Sequence, residues 1–482
     1  MHRTPLVRRG SNDMRRFLIF LLMMGLAFGP GGCTLAPKYT RPAAPVPGEW
    51  PKGTAYQDAK AAEGRPAAAI LKWQDFITDE KLQKVITAAL KNNRDLRLAA
   101  LNVERARALY GIQRAELFPA LGAAGSGSVQ RVPADLSTTG SARTAEQYGV
   151  TLGITSWEID LFGRIRSLKD RTLEEYLATE QAGRGAQILL VSAVANTYNA
   201  LAADRDNLKL AASTLETQEA AYRLIRKRYD VGIASELDLR RAQSQVDAAR
   251  GDVARFTQLA AQDENALNLL VGSPVPQELL PSELDGVSPP REISPGLSSE
   301  VLLRRPDVLE AEHRLRASNA NIGAARAAFF PRISLTTNIG TASAGLSRLF
   351  GSGQETWSFV PQITLPIFDA RTWSAYDATK VEREITLTQY EKAIQTAFRE
   401  VADALAVRGT VDQQLSAQQS LVQAVSETYR LSNARYLKGL DSYLGVLDAQ
   451  RSLNTARQGL IALRLARVAN LITLYKVLGG GQ

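Results

Sequence analysis

Residues 427–450 read ETYRLSNARYLKGLDSYLGVLDAQ, and residues 220–243, 207 positions earlier, read AAYRLIRKRYDVGIASELDLRRAQ. Laid over one another without gaps, Tyr222, Arg223, Leu224, Arg228, Tyr229, Gly232, Ser235, Leu237, Ala242 and Gln243 fall on Tyr429, Arg430, Leu431, Arg435, Tyr436, Gly439, Ser442, Leu444, Ala449 and Gln450. Each copy is helical sequence, a glycine, then a fresh helix start. A glycine just past a helix can take the left-handed conformation that closes it. A serine a few residues on suits the next N-cap, and Ser235-Glu-Leu-Asp238 reads as a capping box. Each copy is therefore a sharp helical hairpin. So long a period means a duplicated domain, not a solenoid of short units.

Working outward, the helix after each tip carries a seam of small and apolar residues. It reads Ala242, Val246, Ala249, Val253, Phe256, Ala260, Leu267 and Leu270 in the first copy, interrupted by Asp263. The same register in the second gives Ala449, Leu453, Ala456, Leu460, Leu463, Leu474 and Val477, interrupted by Arg467 and Asn470. The helices before the tips run from about 163 to 229 and from about 371 to 437, each on the order of 100 Å at 1.5 Å per residue. Helical pattern also runs from near Trp73 to Phe118. The proline-rich stretch 273–295 links the copies, giving repeats at 71–272 and 296–482.

Ahead of each long helix the period changes to two. Tyr148, Val150, Leu152 and Ile154 alternate with Gly149, Thr151, Gly153 and Thr155, and 120–132 alternates less well. After Pro331, Ile333, Leu335 and Ile339 alternate with Ser334, Thr336, Asn338 and Gly340; Trp357, Phe359, Ile363 and Leu365 then alternate with Ser358, Gln362 and Thr364. The polar partners are almost uncharged, unlike the wet face of a soluble sandwich. Strands of this kind fit a transmembrane barrel lining a channel. Four strands cannot close such a barrel, and open edges are not tolerated in lipid, so several chains must share one.

The chain starts with basic residues and an apolar run, Phe17 to Phe28, which predicts a signal segment over 1–32. Met14 offers an alternative start. The run ends at Gly31-Gly32-Cys33, and Cys33 is the single cysteine. Small residues before a lone cysteine predict lipid attachment there, although Pro30 stands where a lipobox usually has leucine. Residues 33–70, rich in Pro and Ala, are expected to be an extended tether. Of the net charge of +9, the segment 1–32 supplies +4, leaving +5 spread over the remainder. No basic stripe interleaved with aromatics exists, so nucleic acid is not an expected partner.

These elements together resemble the TolC-type outer-membrane efflux factors, in the lipoprotein branch that serves resistance-nodulation-division pumps. The residues that carry the resemblance are Gly32-Cys33 with Pro37-Lys-Tyr39 and Pro42, then Trp73, Phe76, Ala89-Leu90, Asn93 and Asp95-Leu96. Trp157-Glu-Ile-Asp-Leu-Phe-Gly163, Arg304-Arg-Pro-Asp-Val308 with Ala311-Glu312, Phe329-Phe-Pro331 and Leu447-Asp-Ala-Gln450 complete it. The resemblance implies a fold that is mainly α with a transmembrane β part. Three copies would form an α-barrel of long-helix hairpins and a shared barrel of twelve strands, four per chain. It further implies an outer-membrane protein, lipid-anchored and extending into the periplasm, working as the exit duct of a tripartite efflux system. A periplasmic adaptor would dock at the tips (Gly232, Ser235, Asp238, Gly439, Asp441, Ser442) and an inner-membrane pump would deliver substrate. Leu444, Asp448 and Arg451 match the closing constriction. Superposing the copies adds Leu237, opposite Leu444, and Arg241, opposite Asp448.

A second class is a lipidated periplasmic coiled-coil adaptor or scaffold. That would carry one hairpin and a β domain outside the membrane, whereas here each of two hairpins follows a strand pair. Enzyme chemistry finds no support. The histidines are His2 and His313, the latter expected on a helix surface; no cysteine or histidine cluster suits a metal and no cofactor is expected.

Overall fold

The computed structural model describes residues 34–56, 71–294 and 298–480. The expected signal segment 1–32 and Cys33 lie outside them. The helices are α1 (Trp73–Phe76), α2 (Glu80–Asn92), α3 (Arg94–Ala115), α4 (Arg164–Asp230), α5 (Glu236–Val271), α6 (Pro306–Ala327), α7 (Ala370–Leu437) and α8 (Tyr443–Val477). The strands are β1 (Leu121–Val132), β2 (Arg143–Ile159), β3 (Arg332–Ser343) and β4 (Glu355–Thr364). The stretch expected as one helix from Trp73 to Phe118 is broken twice. Asp79 caps α2 through the Leu82 amide (2.8 Å), and Asn93 interrupts the chain between α2 and α3. The Asn93 side-chain Oδ1 accepts from the Leu96 amide (2.8 Å) while its Nδ2 donates to the Leu270 carbonyl at the end of α5 (2.8 Å).

Two compact units divide the chain, and neither is one sequence copy. The first gathers the described residues up to Pro42 with Glu104–Leu177 and His313–Thr388; the second gathers the described parts of Ala43–Val103, Ala178–Glu312 and Gln389–Gln482.

The first unit holds a sheet in the order β1-β2-β3-β4, antiparallel throughout. Its register settles which residues share a face. Ala123, Leu152, Ile339 and Trp357 are successive cross-strand partners, as are Leu121, Ile154, Thr337 and Phe359. The large apolar residues of the period-two runs thus lie on one face, with Thr151, Gly153, Asn338, Gly340 and Ser358 on the other. β1, weakly patterned, pairs with β2 along its whole length. At Gly340 an added Cβ would run into the Val150 carbonyl oxygen and at Gly153 into the Thr337 carbonyl oxygen, so these two positions require glycine. A bulge between Ile154 and Trp157, with Ser156 at φ 51°, resets the alternation and keeps Trp157 and Ile159 opposite Leu335 and Ile333.

The same unit explains two signature stretches. Glu158, ending β2, takes both Arg164 (2.8 Å, twice) and Arg332 (2.7 Å), tying the first residues of α4 and β3 together. Phe162 stacks on Phe330 (4.8 Å between centroids). His313 is not on the surface: its side chain is 15% exposed and its Nδ1 lies 2.6 Å from Glu174 across α6 and α4.

In the second unit Phe76 stacks on Tyr475 (4.2 Å), whose hydroxyl donates to the Leu71 carbonyl (3.1 Å). Arg305, 7% exposed, donates to Asp307 and Glu400 (2.8 Å each) and to the Val477 carbonyl (2.7 Å), joining three helices. The described part of the linker, 273–294, packs against the unit, with Val275, Leu280, Leu284 and Ile293 buried.

The interruption of the first seam has a chemical cost. Asp263 on α5 faces Asp204 on α4; burial, then the neighbouring carboxylate, push Asp263 up to about 6. Asp204 is also raised, again chiefly by burial, although Asn207 and Arg255 oppose the shift. A carboxyl whose folded pKa exceeds its unfolded value contributes stability that is full below the unfolded value and is lost as pH rises through about 6. Asp263→Asn is expected to raise the thermal midpoint above about pH 7 and to change it little near about pH 4. Unfolding scans at the two pH values check this, and equal effects at both would refute it.

Candidate functional site

The tips belong to the second unit. Gly232 (φ 76°) and Gly439 (φ 75°) end α4 and α7 with the same two hydrogen bonds. Ile233 N–H donates to the Arg228 carbonyl (2.8 Å) and Gly232 N–H to Tyr229; Leu440 N–H donates to Arg435 (3.0 Å) and Gly439 N–H to Tyr436. This is the Schellman closure, open to glycine because φ is positive. The copies diverge at the next step. Ser235 caps α5, its hydroxyl oxygen accepting from the Asp238 amide (3.1 Å) and donating to the Asp238 carboxylate (2.7 Å). Ser442 occupies the cap position of α8 but its side chain makes no cap bond. There the turn is held by Arg435 on Asp441, which keeps the Asp441 carboxyl below its ordinary range.

The two tips pack together within one chain. Ile225, Leu239 and Ala242 of the first share a buried cluster with Tyr443, Val446 and Leu447 of the second. Arg228 lies over the Tyr436 ring (5.2 Å), which contacts Tyr443 (5.2 Å). Burial, followed by the neighbouring Tyr436, pushes the Tyr443 phenol up to about 12. Sequence reading passed over this cluster as site architecture. Its signal was present in the Arg228/Arg435 and Tyr229/Tyr436 identities, residues whose matching positions serve different partners here.

Of the expected constriction residues, Asp448 and Arg451 meet: the Arg451 guanidinium donates to the Asp448 carboxylate at 2.6 Å, both side chains being largely exposed. Arg241, half-buried, makes no ion pair among the described residues of its own chain. Leu444 and Leu237 are 51% and 58% exposed, free to meet something beyond the chain. The turns also display Val231, Ile233 and Leu440, exposed apolar side chains next to Gly232 and Gly439 that sequence reading had not singled out.

No group of three or more His, Cys, Asp or Glu able to hold a metal occurs among the described residues. Among the described residues one helix, Arg164–Asp230, has a stretch apolar enough to cross a membrane by composition, but more than half of that stretch is buried.

Residues 85–273 and 297–480 match the outer membrane efflux protein family. The chain is 51% identical over 457 residues, 94% of both chains, to the probable efflux pump outer membrane protein TtgC of Pseudomonas putida. It is 44% identical over 461 residues to outer membrane protein OprJ of Pseudomonas aeruginosa, covering 95% of this chain and 94% of OprJ. Among solved structures, a membrane protein of Pseudomonas aeruginosa superposes with a TM-score of 0.86 at 43% identity, covering 93% of this chain and 98% of that one. The open state of the Neisseria gonorrhoeae MtrE outer membrane channel gives 0.82 at 37% identity, with 93% and 98% covered.

Proposed function

The chain belongs to the outer membrane efflux protein family, and from that premise we propose that three copies assemble into the exit duct of a tripartite pump. It is an outer-membrane efflux channel. Its four strands would supply a third of a twelve-stranded barrel, and its hairpins a third of an α-barrel crossing the periplasm. The observation that carries this reading is the sheet itself: one apolar face, one neutral face, and β1 and β4 each with one side unpaired among the described residues. A membrane-spanning sheet cannot leave edges in hydrocarbon. Helix α3 points the same way. None of its residues is buried within the chain, and Leu98, Leu101, Leu109 and Ile112 are at least half exposed, a surface suited to a neighbouring copy.

The repeats 71–272 and 296–482, joined by 273–295, would each give one hairpin. The tips would form the periplasmic mouth. Gly232, Ser235, Asp238, Gly439, Asp441 and Ser442 shape it for a periplasmic adaptor, and the exposed Val231, Ile233 and Leu440 offer that adaptor an apolar hold. Leu444, Asp448 and Arg451, with Leu237 and Arg241, would form the gate. Substrate delivered by a resistance-nodulation-division pump would pass through the duct unchanged.

The described tether supports anchoring at Cys33. Leu35 accepts through its carbonyl from Arg326 (3.2 Å), Pro37 from Asn319 (2.8 Å), and the Tyr39 ring lies under Arg316 (4.9 Å). Read backwards, 39 to 35 climbs α6 toward the end that leads into β3, where a membrane surface would lie. Mass spectrometry of the detergent-solubilised protein tests assembly and anchor together. The intact complex should weigh three chains, and the denatured chain should begin at Cys33 with acyl mass added. A stable monomer would overturn the shared barrel, and an unmodified Cys33 or another first residue would overturn the anchor.

A further inference from the structure

Beside the tether the first unit holds a cavity of about 330 Å³ whose lining includes Lys38, Arg326, Lys380, Arg383, Tyr376 and Glu384. Four cations face one carboxylate there. Arg383 is engaged by Glu384 (2.7 Å), and Lys380 shares its charge between Asp377 (2.9 Å) and the face of Tyr376 (4.1 Å). Arg326 is different. Half-buried, it donates to neutral oxygens, the Tyr376 hydroxyl (3.3 Å) and the Leu35 carbonyl (3.2 Å), and no carboxylate among the described residues pairs with it. Lys38, exposed at the rim, has no anionic partner among the described residues either. A guanidinium held by two hydrogen bonds, lining a cavity with three other cations, suits a phosphate.

The cavity's place in the chain says where that phosphate comes from. Along α6, Arg326 precedes Phe329, which precedes the start of β3 at Arg332; along the other connection β4 ends at Thr364 and Phe368, Trp373, Tyr376 and Lys380 follow. Phe329 packs edge-on against Trp373 (4.8 Å) and Tyr376 (5.9 Å), joining the two connections. Arg332 and Arg371 lie nearest the strands, and beyond them each connection places an aromatic before a cation lining the cavity, Phe329 before Arg326 and Trp373 before Lys380; at a membrane interface aromatics sit at headgroup level and basic side chains reach the phosphates. Tyr376, six residues into α7, lies about 9 Å along the helix, close to the headgroup layer of about 5–8 Å per side.

We propose that this cavity binds the phosphate of an anionic phospholipid headgroup at the periplasmic surface of the outer membrane. The proposal rests on the reading that the strands span that membrane. Its effect would be to hold the chain at a fixed depth, beside the tether.

The test places the full-length protein in nanodiscs of mixed phosphatidylglycerol and phosphatidylcholine and counts lipids retained on the intact complex by native mass spectrometry. Phosphatidylglycerol should be enriched about tenfold over phosphatidylcholine, and Arg326→Gln with Lys380→Gln should bring the ratio to within about twofold of even. Arg399→Gln, remote in sequence and outside the cavity, should leave it unchanged. Added millimolar inorganic phosphate should not displace the lipid; displacement would make this a free-anion site and overturn the proposal. Protein that enters nanodiscs without preferring either lipid overturns the proposal and leaves the membrane reading standing, whereas protein that fails to enter overturns both. If the wild type retains no lipid and the double variant falls apart into single chains, a neighbouring copy's carboxylate fills the cavity instead.

Discussion

Replacing Leu152 by arginine is expected to remove the protein from the outer membrane almost completely. Leu152 sits mid-strand in β2, between Ala123 on β1 and Ile339 on β3, on the face that also carries Trp357. Arginine on the lipid side near the bilayer midplane costs roughly 2–4 kcal/mol, a factor of about 30 to 900 in the insertion equilibrium. If three copies share the barrel, each brings the same charge and the penalty is met three times. The neighbouring Thr151 is the control. It faces the other way, opposite Ala124 and Gly340, so Thr151→Arg would point into a watery lumen and assembly should survive. Leu335→Arg belongs to the lipid face but lies three residues from the start of β3, so its cost should fall toward the interface value of about 0–1 kcal/mol. Folded protein in the outer-membrane fraction is the measurement. Equal loss for Leu152→Arg and Thr151→Arg would contradict the assignment of faces.

That assignment was legible because period two needs no tertiary information. The large apolar residues that set the alternation, from Tyr148 to Ile363, fall on one face of the sheet, with Val360 the exception on the other. The tips were legible for a similar reason: a left-handed closure requires Gly232 and Gly439 whatever surrounds them. What stayed hidden depended on partners far away in sequence. The bulge at Ser156 left no mark beyond a missed beat in the alternation. Asn93 reads as one polar residue in a helix until the Leu270 carbonyl, 177 residues on, claims its amide. His313 reads as a surface residue for want of Glu174, and Asp263 as a simple break for want of Asp204. At the candidate gate the sequence supplied the residue types. It could not say that Ser442 leaves its cap unmade, nor that Tyr443 locks the tips into one body.

That locking would constrain a gate formed by these tips. Because Ile225, Leu239, Tyr443 and Leu447 bury one another, the two hairpins of a chain should move as a pair, and opening should separate chains rather than hairpins. What holds neighbouring chains together at the mouth must then be outward-facing, and the exposed tip residues include Leu237, Leu444, Asp448 and Arg451.

Asp448→Ala is accordingly expected to raise channel opening by a larger factor than any other single tip substitution. In the proposed trimer the matching positions of the two copies alternate around the pore, placing three Asp448 level with three Arg241. Within its own chain Asp448 already accepts from Arg451 (2.6 Å), which neutralises part of the repulsion among three carboxylates. Arg241 has no carboxylate of its own among the described residues and is the group left to bridge toward a neighbour. Exposed pairs of this kind contribute about 0.2–1 kcal/mol each, so losing three would shift the opening equilibrium between about threefold and about 150-fold. Weak closure is what an adaptor needs, because it can then open the ring by binding the separated tips only modestly better. Conductance in planar bilayers reads the effect. Asp448→Ala should raise it most, Arg241→Ala and Arg451→Ala less, since each removes one of two partners. Exchanging charges, Asp448→Arg with Arg241→Asp, should restore part of the closure if the bridge between copies exists. If Arg241→Ala leaves conductance unchanged while Asp448→Ala raises it, closure rests on the Arg451 pair and the leucines alone. If Asp448→Ala changes nothing, these residues do not form the gate.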